Sequence, residues 1–135
     1  MAAAHARDSA EGRRRVVLII DDSAPLIALV RAALEPRGFE VLHSTSPFAG
    51  VRLAAERTPD AIIMDVDMPG MDGVESARFL KRIDETRRIP VIAFSGQPAR
   101  SLERLPANAF DRVVPKADGI ERLEQELDAV LARAA

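Results

Sequence analysis

Val16-Val17-Leu18-Ile19-Ile20-Asp21-Asp22 sets five apolar residues, four of them β-branched, directly before two acids. A strand with one wet face would alternate apolar and polar residues. An unbroken run instead predicts a strand covered on both faces, as in a parallel sheet flanked by helices. Ala61-Ile62-Ile63-Met64, leading into Asp65, and Pro90-Val91-Ile92-Ala93-Phe94, leading into Ser95, have the same form. These three runs predict the central strands. Phe39 to Ser44 and Arg112 to Val114 are more polar and predict the edges.

Amphipathic stretches fill the intervals. Ser23 is placed to cap a helix that carries Leu26, Val30, Ala33 and Leu34 on one face, with Pro36 ending it and Gly38 turning the chain. Ser46-Pro47 opens a second helix, with Phe48, Val51 and Leu53 as its apolar residues, which stops before Pro59. Asp72 caps a third, turning Val74, Ala77, Leu80 and Ile83 inward. Pro98 and Pro106 leave space for only a short or irregular fourth helix. Asp118 and Glu121 read as a capping box before a fifth helix bearing Ile120, Leu123, Leu127, Val130 and Leu131. This alternation predicts an α/β protein of βα units around a five-stranded parallel sheet, taken here as doubly wound in the common order 2-1-3-4-5.

The 135 residues suit one domain. Residues 1–14, rich in Ala and Arg, read equally as a flexible tail or a fraying helix and leave 15–135 as that domain. The absence of cysteine removes disulfides and thiolate metal sites, and only His5 and His43 offer imidazole, so oxygen is the main metal-binding chemistry. With 19 basic and 21 acidic residues there is no basic excess, and direct binding of nucleic acid is not expected. The longest apolar run is far too short for membrane insertion, and the first residues lack the apolar core of a secretory leader, which predicts a cytoplasmic protein.

An open α/β sheet binds ligands beyond the carboxyl ends of its strands. There the expected topology collects Asp21 and Asp22 after the first strand, Asp65 after the third, Ser95 after the fourth and Lys116 after the fifth. The first and third strands are neighbours, so three carboxylates crowd together. Their mutual repulsion would be relieved by a hard divalent cation, and magnesium, which takes a few carboxylate oxygens and keeps places for water and phosphate, fits best. A carboxylate can also attack phosphorus to give an aspartyl phosphate. Lys116 and the Ser95 hydroxyl are the donors available to meet the charge on the phosphoryl oxygens.

Asp21-Asp22, the stretch Ile62-Ile63-Met64-Asp65-Val66-Asp67-Met68-Pro69-Gly70-Met71-Asp72-Gly73, then Ser95 and Lys116, together resemble the receiver domains of response regulators in two-component signalling. The resemblance spans Arg15 to about Leu131. It implies a flavodoxin-like (βα)5 fold and a single-domain regulator that works by protein contact. By this resemblance Asp65 would accept a phosphoryl group from a histidine kinase or phosphotransfer protein and pass the signal to a downstream protein target. Asp22, Asp65 and the backbone carbonyl of Asp67 would ligate Mg2+, with Asp21 acting through water. Lys116 would pair with the phosphoryl group, and Ser95 would swing in to hydrogen-bond it.

The chain departs from the family in places. Receivers commonly carry Pro after the site lysine and an aromatic residue three positions before it; here these are Ala117 and Val113, with Pro115 ahead of the lysine. The usual aromatic switch is thus expected to be missing, and the fourth-helix region to carry the response. Asp67 and Gln97, each two residues beyond a site residue, are expected to tune hydrolysis of the phosphorylated form. Taken singly, Asp22 reads equally as a helix cap, and Lys116 as a surface lysine, though the chain holds only two lysines against seventeen arginines. A scaffold that works without phosphorylation is an alternative. So is a magnesium-dependent phosphatase of haloacid-dehalogenase type, since Asp65-Val66-Asp67 matches its D-x-D motif.

Overall fold

The computed structural model describes residues 7–8, 13–68 and 72–134. Its sheet contains β1 (Val16–Ile20), β2 (Glu40–Ser44), β3 (Ala61–Met64), β4 (Val91–Ser95) and β5 (Arg112–Pro115). All pairings are parallel, and the order β2-β1-β3-β4-β5 is the expected one, with the two more polar strands at the edges. Five helices follow the strands: α1 (Ala24–Leu34), α2 (Pro47–Arg57), α3 (Gly73–Arg82), α4 (Ala99–Leu102) and α5 (Gly119–Ala134). The fold is the doubly wound, flavodoxin-like α/β arrangement.

Side-chain alternation along the central strands divides the core into two halves. Val17, Ile19, Ile63, Ile92 and Phe94 meet α1 and α5, while Leu18, Ile20, Ile62, Met64 and Ala93 face Ala54 of α2 and Leu80 of α3. These strand residues are almost wholly buried, and each Leu or Ile so covered contributes about 1.5–3 kcal/mol relative to exposure. The continuous apolar runs are explained by this double coverage.

Three caps form as expected. The side chains of Ser23, Ser46 and Asp72 accept hydrogen bonds from backbone N–H groups in the first turns of α1, α2 and α3. After α1 the chain tightens into a 3-10 turn at Glu35–Arg37 and leaves it through Gly38 at φ 98°.

Other expectations need correction. In α1 the buried stripe runs through Ile27, Val30 and Leu34, with Leu26 only partly covered. In α2 it runs through Gly50, Val51 and Ala54, and Phe48 stands 75% exposed. Small residues that let a helix sit close to the sheet carry little hydropathy, so the pattern drew attention to the larger side chain beside the stripe. Asp118 belongs to a 3-10 turn, Lys116–Asp118, and α5 starts at Gly119 with φ 87°, so the chain enters that helix through a glycine conformation rather than a capping box. Within the expected tail, Arg7–Asp8 pairs antiparallel with Arg13–Arg14; the remainder of residues 1–12 lies outside the described residues, as do 69–71 of the acidic motif.

Candidate functional site

Strand register places the acids. Val17 to Ile20 of β1 lie beside Ala61 to Met64 of β3, so the next residues, Asp21 and Asp65, emerge level with each other. The Asp65 N–H donates to the Ile20 carbonyl at 2.9 Å and the Asp21 N–H to Ser44 at 3.0 Å, which holds both backbones at the sheet rim. Asp21 and Asp65 are buried, at 1% and 6% exposure, while Asp22 is exposed. One carboxylate oxygen from each of the three lies within 4.8 Å of the others, an all-oxygen set able to hold a hard cation.

Each buried acid is tied down. Asp21 accepts from the Ser23 N–H at 2.9 Å, and Asp65 from the Asp67 N–H at 3.0 Å. Ser95 ends β4 level with Pro115 of β5, so Lys116 is the first residue past the edge strand. Its Nζ lies 3.0 Å from Asp21 Oδ2 and 3.4 Å from Asp65 Oδ2. The lysine reaches both acids with Ala117, not proline, behind it.

The electrostatics follow from burial. Loss of water raises the Asp65 carboxyl above the ordinary carboxylate range and the Asp21 charge adds to this; the Asp67 N–H and Lys116 pull the other way without cancelling it. For Lys116, burial alone would lower the ammonium, but Asp21 and then Asp65 outweigh it and hold it above the ordinary lysine value. With its folded value raised, Asp65 contributes stability below the ordinary carboxylate range and loses it as pH rises through the raised value. At neutral pH its charge is a net cost to the fold. Lys116 has the same sign of pH dependence in a higher window, its stability retained until pH rises through its own raised value, but there it is the charged form that the fold favours.

Ser95 is fully buried, and its hydroxyl donates to Asp67 Oδ2 at 3.1 Å rather than to Asp65. The Gln97 N–H donates to Ser95 Oγ at 3.2 Å, and the Gln97 side-chain amide donates to Asp67 Oδ1. The Asp67 carboxylate thus joins the loop after β3 to the loop after β4, a link between two turns that sequence spacing alone does not reveal. Beyond that loop α4 is a single turn, with Leu102 tucked in beneath it. Phe110 is buried in the core, and Val113 on β5 is only partly covered. His43 stands on the surface, its Nδ1 3.1 Å from an Arg31 nitrogen, and takes no part in the site.

Comparison with known proteins agrees with this geometry. The pattern of the response regulator receiver domain matches residues 17–128. The phosphate regulon transcriptional regulatory protein PhoB of Pseudomonas aeruginosa is 34% identical over 121 residues, covering 88% of this chain; the chain spans only 52% of that longer protein. The polar-differentiation response regulator DivK of Brucella anthropi is 29% identical over 119 residues, 87% of this chain and 97% of its own. Among solved structures, the receiver domain of the sensor histidine kinase PA1611 of Pseudomonas aeruginosa superposes with a TM-score of 0.78 over 87% of this chain and 98% of its own, at 23% identity; it holds a magnesium ion in its active-site cleft. With the sheet order, the paired acids after β1 and the lysine after β5 all in place, the chain belongs to the response regulator receiver domain family.

Proposed function

We propose that this chain is a phosphorylation-operated switch of two-component signalling, acting in the cytoplasm, with Asp65 as its phosphoryl acceptor. An oxygen of Asp65 forms the new bond to phosphorus as the bond to the histidine nitrogen of a kinase or phosphotransfer protein breaks. The observation that carries this reading is the position of Lys116 Nζ, within 3.4 Å of both Asp65 Oδ2 and Asp21 Oδ2. A fixed ammonium there supplies positive charge where the transferring group becomes most negative.

Asp22, Asp65 and the Asp67 carbonyl would hold Mg2+, with Asp21 acting through water; the close set of three carboxylates and the magnesium-bound PA1611 receiver support this. When bound, the ion supplies charge neutralisation of the acids and of the phosphoryl oxygens. Ser95 would leave Asp67 to hydrogen-bond the phosphoryl group, drawing the β4–α4 loop with it, and a protein partner would read the displaced α4 region. With a net charge of −2 and no helix of the described residues long and apolar enough to cross a membrane, proteins are the expected partners at input and output. Membership of the receiver family leaves the D-x-D phosphatase reading without support.

The test is incubation with acetyl phosphate and magnesium followed by intact mass. The wild type should gain one phosphoryl group and Asp65→Asn none. The variant removes a buried charge, so in metal-free neutral buffer it should melt no lower than wild type, and its silence would not be misfolding. A wild type that stays unmodified would refute the switch and leave the scaffold reading.

A second expectation concerns lifetime. Asp67 and Gln97 are proposed to order the water that attacks the phosphorylated residue. Asp67→Ala and Gln97→Ala should each slow dephosphorylation several-fold. Because the two side chains are hydrogen-bonded to each other, the double variant should be no slower than the worse single one. Unchanged rates would remove them from the reaction.

A further inference from the structure

Three of the five phenylalanines, Phe39, Phe94 and Phe110, are at most 4% exposed. The other two are not: Phe48 of α2 is 75% exposed and Phe79 of α3 is 51% exposed. They flank one groove of about 300 Å³ that is also lined by Val51, Glu75 and Arg82. Single exposed apolar residues are ordinary on a protein surface; two aromatic rings from neighbouring helices sharing a groove make a patch.

The charges around it have a definite order. Glu75, Phe79 and Arg82, spaced by four and three residues, lie on one side of α3, with the acid toward the amino end and the base toward the carboxyl end. Phe79 stands between them. A two-fold axis near Phe79 would reverse α3 in a second copy and bring Glu75 of each copy to Arg82 of the other, with the exposed rings beside the axis. A surface of this kind complements itself, as an isologous interface must. A partner of one charge sign would satisfy only one end.

We propose that the α2–α3 face is a self-association surface on which two copies of this chain pair with antiparallel α3 helices. None of Asp21, Asp22, Asp65, Ser95 and Lys116 lines the groove.

Sedimentation velocity of the full chain, from micromolar to near-millimolar concentration, tests this. The wild type should pass from monomer to dimer. Glu75→Arg and Arg82→Glu should each weaken association by about tenfold or more, since the symmetry sets two like-charged pairs against each other. The double exchange Glu75→Arg with Arg82→Glu should restore it, a rescue that mere damage to α3 could not give. Phe79→Ser should abolish dimerisation while leaving the thermal midpoint near that of wild type. A wild type that stays monomeric throughout, the result expected if the groove serves a different protein, would overturn the proposal. So would a dimer indifferent to these changes, or a double exchange without recovery.

Discussion

Lys116→Ala is expected to slow phosphorylation of Asp65 by acetyl phosphate about a hundredfold or more, the usual loss when one charge-stabilising donor is removed from a pre-arranged site. The lysine does two things. Before reaction it separates two buried carboxylates, lying 3.0 Å from one and 3.4 Å from the other; during reaction it is the cation at hand for the phosphoryl oxygens. Without it, Asp21 and Asp65 face each other uncompensated, and the thermal midpoint of the variant should rise more on adding Mg2+ than that of wild type. Lys116→Arg should not rescue the rate, because a planar fork cannot occupy the point between the two oxygens that a compact ammonium fills. Initial rates by intact mass, with melting curves at several magnesium concentrations, check both effects. A Lys116→Ala rate within a few-fold of wild type would remove the lysine from the chemistry.

The rarity of lysine has a physical reading. The second one, Lys81, is also set among oxygens, with Nζ 2.8 Å from Asp111 Oδ2 and 2.9 Å from the Ile89 carbonyl. Both lysines of an arginine-rich chain therefore stand where a small, rotatable donor fits a gap, one in the framework and one at the rim. Rarity alone marks the two positions and cannot separate them; placement does, since Lys116 directly follows β5 at the rim whereas Lys81 lies near the end of α3.

What was legible follows the same logic. The three apolar runs report double coverage and so mark the central strands; in the doubly wound order β1 and β3 are neighbours, which gives the shared rim and the meeting of Asp21, Asp22 and Asp65. Ser23, Ser46 and Asp72 were legible as caps because the side chain and the backbone it binds are only two or three residues apart. Features that join distant loops were not. The bond from Ser95 to Asp67 spans 28 residues and depends on how two turns happen to bend toward each other. Phe48 misled for a different reason: the face α2 buries is made by Gly50 and Ala54, chosen for closeness rather than for hydropathy. Gly50 shows how close, since a Cβ there would lie 2.6 Å from Cδ1 of Ile20.

Gly73→Ala is expected to destabilise the fold by about 2–3 kcal/mol, the upper part of the range for overpacking, and to lower the thermal midpoint by roughly 10 °C. A Cβ on Gly73 would stand 2.6 Å from Cα of Val66 and 3.1 Å from its carbonyl oxygen. Those are backbone atoms, which cannot rotate aside as the end of Ile20 can at Gly50. Relief must come from moving α3 or the loop after β3. Val66 lies between Asp65 and Asp67, so a shift of that loop disturbs the 3.0 Å bond from the Asp67 N–H to Asp65 and the hold of Asp67 on Ser95. Weaker magnesium binding and slower phosphorylation should therefore accompany the lost stability. Gly96→Ala is the control, since nothing lies within 4 Å of a Cβ at that position. Its midpoint should stay within about a degree or two of wild type, as expected for a substitution that meets no neighbour. A Gly73→Ala protein that melts like wild type would mean the β3–α3 loop yields freely, and the close approach of α3 to Val66 would then play no part in positioning Asp65.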